Sequence, residues 1–337
     1  MPRGGEPLTS NDRGPQNSNA GGPVPHVAWS SILTGYGGAN ANSATTRQPR
    51  RGDAKSSHVT TPPPPAGSLL RLKPFQKQLD DCIELPIAGF LEVFDVEHTG
   101  KGTMFEAEIY EVASRTLHLH SGCATRSSAI PPFKSIVNST KEMSWWSANN
   151  LRQAGLTTSD LARAPPLVQV LKTWLGRLGG NAPVILAAHN AYSVDIKLVI
   201  WGLHVANVDP FEFLKSYGVV GVLETERLSK KLTADIKNEL DRATQERVRK
   251  SKLGAGATEQ PYGAHSNRNL YEVLCKPHSS QGAVAWHAAD SDAMALAAWL
   301  TTRPLKDLLK GDLGTCLISL EQVVQMVYAK YKVTNSK

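Results

Sequence analysis

A chain of 337 residues with a formal net charge of +7 can hold two average domains or one larger domain with irregular flanks, and its composition favours the second. Nowhere do about 18 apolar residues run together, and no apolar segment follows Met1, so neither a membrane span nor a secretory signal is expected. The expectation is a soluble intracellular protein, with nucleus and cytoplasm both open.

Residues 1–75 read as a disordered tail. Up to residue 67 they are rich in Gly, Pro, Ser, Asn and Thr, with a Pro62-Pro63-Pro64-Pro65 run and few large apolar residues, so too little surface is available for burial to offset chain entropy. Up to Phe75 the tail holds eight Lys and Arg against three acids, a surplus of five out of the chain's seven. The basic balance is therefore mostly the tail's, and suits either a nucleic-acid or anionic partner or plain solubility. Cys82, Cys123, Cys275 and Cys316 form no Cys-x-x-Cys pair and read as reduced thiols.

Globular text begins near residue 85. Phe90, Leu91, Val93 and Phe94 predict a buried strand that runs into two acids, Asp95 and Glu97, before a Thr99-Gly100 turn. In an extended chain residues i and i+2 face the same side, so both carboxylates point to one place. Residues 104–120 then predict one or two strands of an antiparallel meander, and 133–138 a short edge. From Ser144 to Leu178 the text is helical with breaks. Pro183 to Ala188 reads as a central strand ending in His189-Asn190, followed by a helix that carries Asp195. Val219 to Leu223 is another short strand. A charged insertion covers about 229–267; its helix over 229–252 has a Leu228, Leu232, Ile236, Leu240 stripe. Nine bases against five acids between Glu226 and Lys252 suit a solvated face or a nucleic-acid rim. Residues 269–275 form a short helix, and 285–299 a helix with His287 and Asp292 near its start and small residues that permit close approach to a sheet. Residues 304–337 close the chain as a helical extension.

Acids at the ends of strands or the starts of helices, in otherwise apolar text, thus recur at Asp95, Glu97, Asp195 and Asp292. Hard oxygen donors of this kind suit Mg²⁺ or Mn²⁺. Two such ions held by converging carboxylates are the usual arrangement for phosphodiester cleavage, with a neutral His as the natural base.

These residues resemble a known family. FDVEHTG, AHNAYSVD and HAADSD are similar to the three motifs of the DEDDh branch of the DnaQ-like 3′ to 5′ exonucleases, with spacing most similar to the three-prime repair members. The likeness covers about residues 85–303. It implies a ribonuclease H-like fold, a mixed five-stranded sheet flanked by helices, and removal of nucleotides from the 3′ end of single-stranded or 3′-ended DNA or RNA as 5′-monophosphates. It further implies that Asp95, Glu97, Asp195 and Asp292 hold two Mg²⁺ or Mn²⁺, that His287 is the general base, and that Thr99, Gly100, His189 and Asn190 lie at the substrate. Lys101 and Val194 depart from the family pattern. The alternative class is a catalytically silent nucleic-acid- or protein-binding module on the same domain. On residue type alone each Asp could cap a helix, Asp290 competes with Asp292, His189 and Asn190 could simply order a turn, and Trp145, Trp146 and Trp286 read better as core than as base-stacking rings.

Overall fold

The computed structural model describes residues 88–100, 103, 105–120, 123–180, 182–252, 263–275 and 286–335. The expected basic tail, its proline run, Cys82 and Lys101 lie outside these residues.

The organising strand is β1 (Ala88–His98). On one side it pairs antiparallel with β2 (Ile109–His120), which places Asp95 opposite Ala113 and Glu97 opposite Glu111. On its other side it pairs in parallel with β5 (Val184–Ala188), which in turn runs parallel to β6 (Val219–Glu224). Two short strands, β3 (Cys123–Arg126) and β4 (Phe133–Ile136), pair with the far edge of β2, and β7 (Leu317–Ser319) runs antiparallel to β6. The result is the mixed sheet flanked by helices that the sequence suggests, with seven strands among the described residues rather than five. The additional two, β3 and β7, are four and three residues long, too short for an alternating pattern to register.

Helices cover both faces. One face carries α3 (Leu167–Gly176), α4 (Asp195–Val205) and α11 (Leu320–Asn335), whose Trp174, Ile196, Trp201, Val323 and Val327 pack with Phe94 and Val96 of β1. The other carries α8 (Asn267–Leu274), α9 (Ala289–Leu300) and α10 (Arg303–Cys316), whose Leu270, Leu296, Trp299 and Leu305 pack with Leu91 and Val93. Because successive side chains alternate, Asp95 and Glu97 continue the row of Leu91 and Val93 and come out under α9. Ala289 and Ala293 are wholly buried there, and their small size lets the helix approach the strand. Towards the end of the chain α10, β7 and α11 follow one another, and Val323, Val324 and Val327 of α11 pack on the face that holds Phe94.

On the α3 face, Glu92 of β1 is fully buried and fully partnered. It accepts from Thr116 Oγ1 at 2.6 Å and Trp174 Nε1 at 2.8 Å, and forms an ion pair with Arg177. A buried carboxylate survives only with such compensation. In the charged insertion, α6 (Thr225–Ser229) leads to α7 (Ala234–Lys252), and Leu228, Leu232 and Leu240 are buried along the predicted stripe. Arg247 turns inward: its guanidinium bonds Asn269 and Glu272 of α8, so this cation ties two helices together. No helix among the described residues is long and apolar enough to cross a membrane.

Candidate active site

Asp95, Glu97 and Asp292 each offer a carboxylate oxygen within 4.8 Å of the others, and all three side chains remain partly open to solvent. Two come from the end of β1 and one from the first turn of α9, residues nearly two hundred positions apart in the chain. Asp195, at the first position of α4, is buried at 3% exposure, and its Oδ1 accepts the Val96 N–H at 3.3 Å. That bond fixes the start of α4 against the strand residue lying between Asp95 and Glu97.

The turn before α9 is shaped for this placement. His287 has φ +65°, in the left-handed region that costs a side-chain-bearing residue energy. In that conformation its N–H donates to Asp292 Oδ2 at 2.9 Å, so the backbone of the expected base orients the expected ligand. Asn267 Nδ2 donates to the Asp292 carbonyl at 3.0 Å, while Asn267 Oδ1 accepts from Trp299 Nε1 at 2.8 Å, locking α8 to α9. Asp290 points elsewhere: it pairs with Arg115 of β2 at 2.6 Å.

Burial first, and the charge of neighbouring carboxylates second, raise the pKa of the four acids. Desolvation, then the charges of Asp195, Asp292, Glu97 and Glu111, push Asp95 well above the usual carboxylate range. Desolvation, then neighbouring acids, takes Glu97 up to about 8. Asp195 rises to about 8 and Asp292 to about 7, burial being the first cause in each. Between about pH 4 and 8 the folded protein without metal therefore holds protons that the unfolded chain has released, and stability falls as pH rises. His189, which burial lowers to about 4, acts oppositely below pH 6.5. The clean window is pH 6.5 to 8, across which the melting temperature of metal-free protein is expected to drop by about 5 °C, with Mg²⁺ reversing the loss. A flat or rising melting temperature in EDTA would show that the fold does not hold these acids protonated.

The remaining motif residues have structural duties. Thr99 is buried; its N–H donates to the Glu108 carbonyl at 2.9 Å and its Oγ1 accepts the Glu108 N–H at 3.1 Å, so its amide is engaged within the fold. Gly100 has φ +64°, and a Cβ there would lie 2.7 Å from Ser147 Oγ and 2.9 Å from Ser144 Oγ. Only glycine fits this contact with α1 (Trp145–Gln153). His189 Nδ1 lies 3.2 Å from Thr225 Oγ1 and its ring meets Trp299 edge-on. Asn190, at φ +66°, donates its N–H to Glu224 Oε1 at 2.8 Å, and Glu224 Oε2 accepts the Tyr192 N–H at 3.2 Å. Glu224 thus holds the turn that presents α4.

Two acids that motif reading passes over belong to the setting, Glu224 and Glu111. Glu111 is 1% exposed, faces Glu97 across the strands, adds to the charge on Asp95, Glu97 and Asp292, and pairs with Lys134 at 2.8 Å. Its signal in the sequence is the one that marks Asp95: an acid inside an apolar strand. The core expectation for two tryptophans fails, since Trp145 is 73% and Trp146 48% exposed. Trp286 is partly buried, beside Tyr271 and under the Arg268 guanidinium.

No protein-family model matches this sequence, and no curated protein is similar to it at the level of sequence. Among solved structures the chain is similar to cell-death related nuclease 4, with a TM-score of 0.41 and 13% identity over 63% of this chain and 62% of that one. It is also similar to E. coli exonuclease I in complex with a dT13 oligonucleotide, with a TM-score of 0.40 and 10% identity over 63% of this chain and 40% of that one. Both alignments span less than two thirds of the solved chains' own length.

Proposed function

We propose that this chain is a metal-dependent 3′ to 5′ exonuclease that hydrolyses phosphodiester bonds and releases nucleoside 5′-monophosphates. The observation that carries the reading is the meeting of Asp95, Glu97 and Asp292 within 4.8 Å, with Asp195 fixed beside them. The donor set is entirely carboxylate oxygen and partly open to solvent, which fits Mg²⁺ or Mn²⁺ and disfavours a thiolate- or imidazole-bound ion. Asp95, Glu97, Asp195 and Asp292 would hold two such ions, and the ions would supply Lewis-acid polarisation of the phosphodiester. The direction of attack and the choice of nucleic acid rest on the motif resemblance.

The chain's own residues set the rest. Asp195 is positioned from the strand backbone and Asp292 from the His287 backbone, so both are aimed before substrate arrives. His287 takes the proton from the attacking water as the P–O3′ bond breaks, and the leaving 3′ oxygen takes a proton from solvent to depart as a 3′-hydroxyl. Glu111 and Lys134 balance charge behind the acids without entering the reaction.

The test is hydrolysis of a 5′-labelled oligonucleotide by purified protein. With Mg²⁺ or Mn²⁺ the label should shorten one nucleotide at a time, giving 5′-monophosphates, and EDTA should stop it. Single-stranded DNA, duplex DNA and RNA compared side by side would assign the substrate. Binding of these substrates with no cleavage under either metal would replace the enzyme reading with that of a binding module.

A further inference from the structure

Trp145 and Trp146 stand in solvent at the start of α1, where burial of either would stabilise the protein if the fold offered a cavity. Their place is not accidental to the site. Ser144, the N-cap of α1, donates its N–H to the Thr99 carbonyl at 2.7 Å, two residues beyond Glu97, and Gly100 packs against Ser144 and Ser147. The first turn of α1 is thereby stapled to the end of the strand that carries two of the acids. From the other side, the Trp146 ring meets the His287 imidazole edge-on, with centroids 5.1 Å apart and planes at 78°. Trp146 therefore touches the very residue whose N–H holds Asp292.

We infer that Trp145 and Trp146 form a stacking platform for unpaired bases next to the scissile phosphate, which makes a single-stranded 3′ end the preferred substrate; this rests on the nuclease reading above. Trp146 makes one T-shaped contact with His287 and remains about half exposed, so part of its ring is left open to a base. Trp145 is more exposed still and precedes it along the helix. A base joined through its sugar to a phosphate above Asp95, Glu97 and Asp292 has these rings as the adjoining apolar surface, and base-to-aromatic stacking is tolerant of base identity. A base held in a duplex has its own faces already covered by neighbours. The platform therefore selects for unpaired ends by what it offers, without reading sequence.

The experiment compares wild-type protein, Trp145→Ala, Trp146→Phe and the double change to Ala on two labelled single strands. One is an ordinary thymidine oligomer; the other carries abasic residues at its last two 3′ positions. Wild-type hydrolysis of the ordinary strand is measured first, and its absence would sink the nuclease reading rather than this one. Given hydrolysis, KM on the ordinary strand should rise about tenfold for Trp145→Ala and more for the double variant. Trp146→Phe should keep most of the wild-type KM because a ring remains. On the abasic strand wild type should lose what the double variant has lost, and the two should become alike. A KM that is unchanged in Trp145→Ala and in the double variant, or a double variant still sensitive to the abasic ends, overturns the proposal. So does a wild-type dimer that the double variant converts to monomer with KM unchanged, since the rings would then serve a second copy of the chain.

Discussion

Asp95→Asn and Asp292→Asn should each reduce hydrolysis below detection while raising the melting temperature of metal-free protein at pH 8. The two halves of that result have one cause. Each acid sits within 4.8 Å of two others and is pushed toward its protonated form by desolvation and by its neighbours' charge. Removing one charge relieves repulsion in the empty site and removes a ligand from the filled one. Isothermal titration with Mn²⁺ should show weakened or lost binding, while circular dichroism stays that of wild type. In Asp292→Asn the side-chain oxygen can still accept from the His287 N–H, so the turn before α9 is retained and the loss is not one of folding. Either variant retaining wild-type turnover would remove these acids from the mechanism.

Replacing His287 should cost roughly 10²- to 10⁴-fold in kcat, the range associated with losing a general base, with metal binding retained. The choice of substitution matters because of the backbone. At φ +65° an Ala is strained, whereas Asn adopts this region more readily, so His287→Asn is the cleaner variant. Its N–H still reaches Asp292, and the ring is all that is lost. Mn²⁺ titration should match wild type, and kcat should fall far more than KM changes. A fall in metal affinity equal to the fall in kcat would mean that His287 acts only by orienting Asp292. Burial keeps His189 neutral down to about pH 4, with Nδ1 beside Thr225.

Much of the site is legible before any coordinates because its geometry follows from two short periods. Two residues of β1 spaced by two must share a side, and an acid on the first turn of a helix made close-fitting by Ala289 and Ala293 must come down beside them. What the sequence leaves hidden depends on distant partners. Glu92 and Asp95 look alike in the text, each an acid in an apolar strand. Only strand parity and the arrival of Arg177, 85 residues away, turn Glu92 into a neutralised core group. Thr99 and Gly100 invite a substrate role by motif, and the sequence does not show that Thr99 also binds Glu108 or that Gly100 packs beside Ser144 and Ser147. Trp145 and Trp146 look like core by composition because their helix has no strong apolar stripe to place them, and the fold leaves both exposed. The seven-strand count escaped for the same reason, since β7 is defined by its pairing with β6 and not by its three residues.

That pairing bears on how the chain comes to be folded at all. β6 is covered on its outer side by residues 317–319, and the fit is close: a Cβ on Gly221 would lie 2.7 Å from the Ile318 carbonyl oxygen. During synthesis every acid of the site, from Asp95 to Asp292, emerges before that cover exists. A growing chain that has emerged only this far carries all the clustered acids, while β6 still lacks the partner for its outer row of hydrogen-bonding groups, the kind of edge on which chains associate. The last short strand makes no contribution to the chemistry, but it closes the period in which a newborn molecule is most exposed to its neighbours.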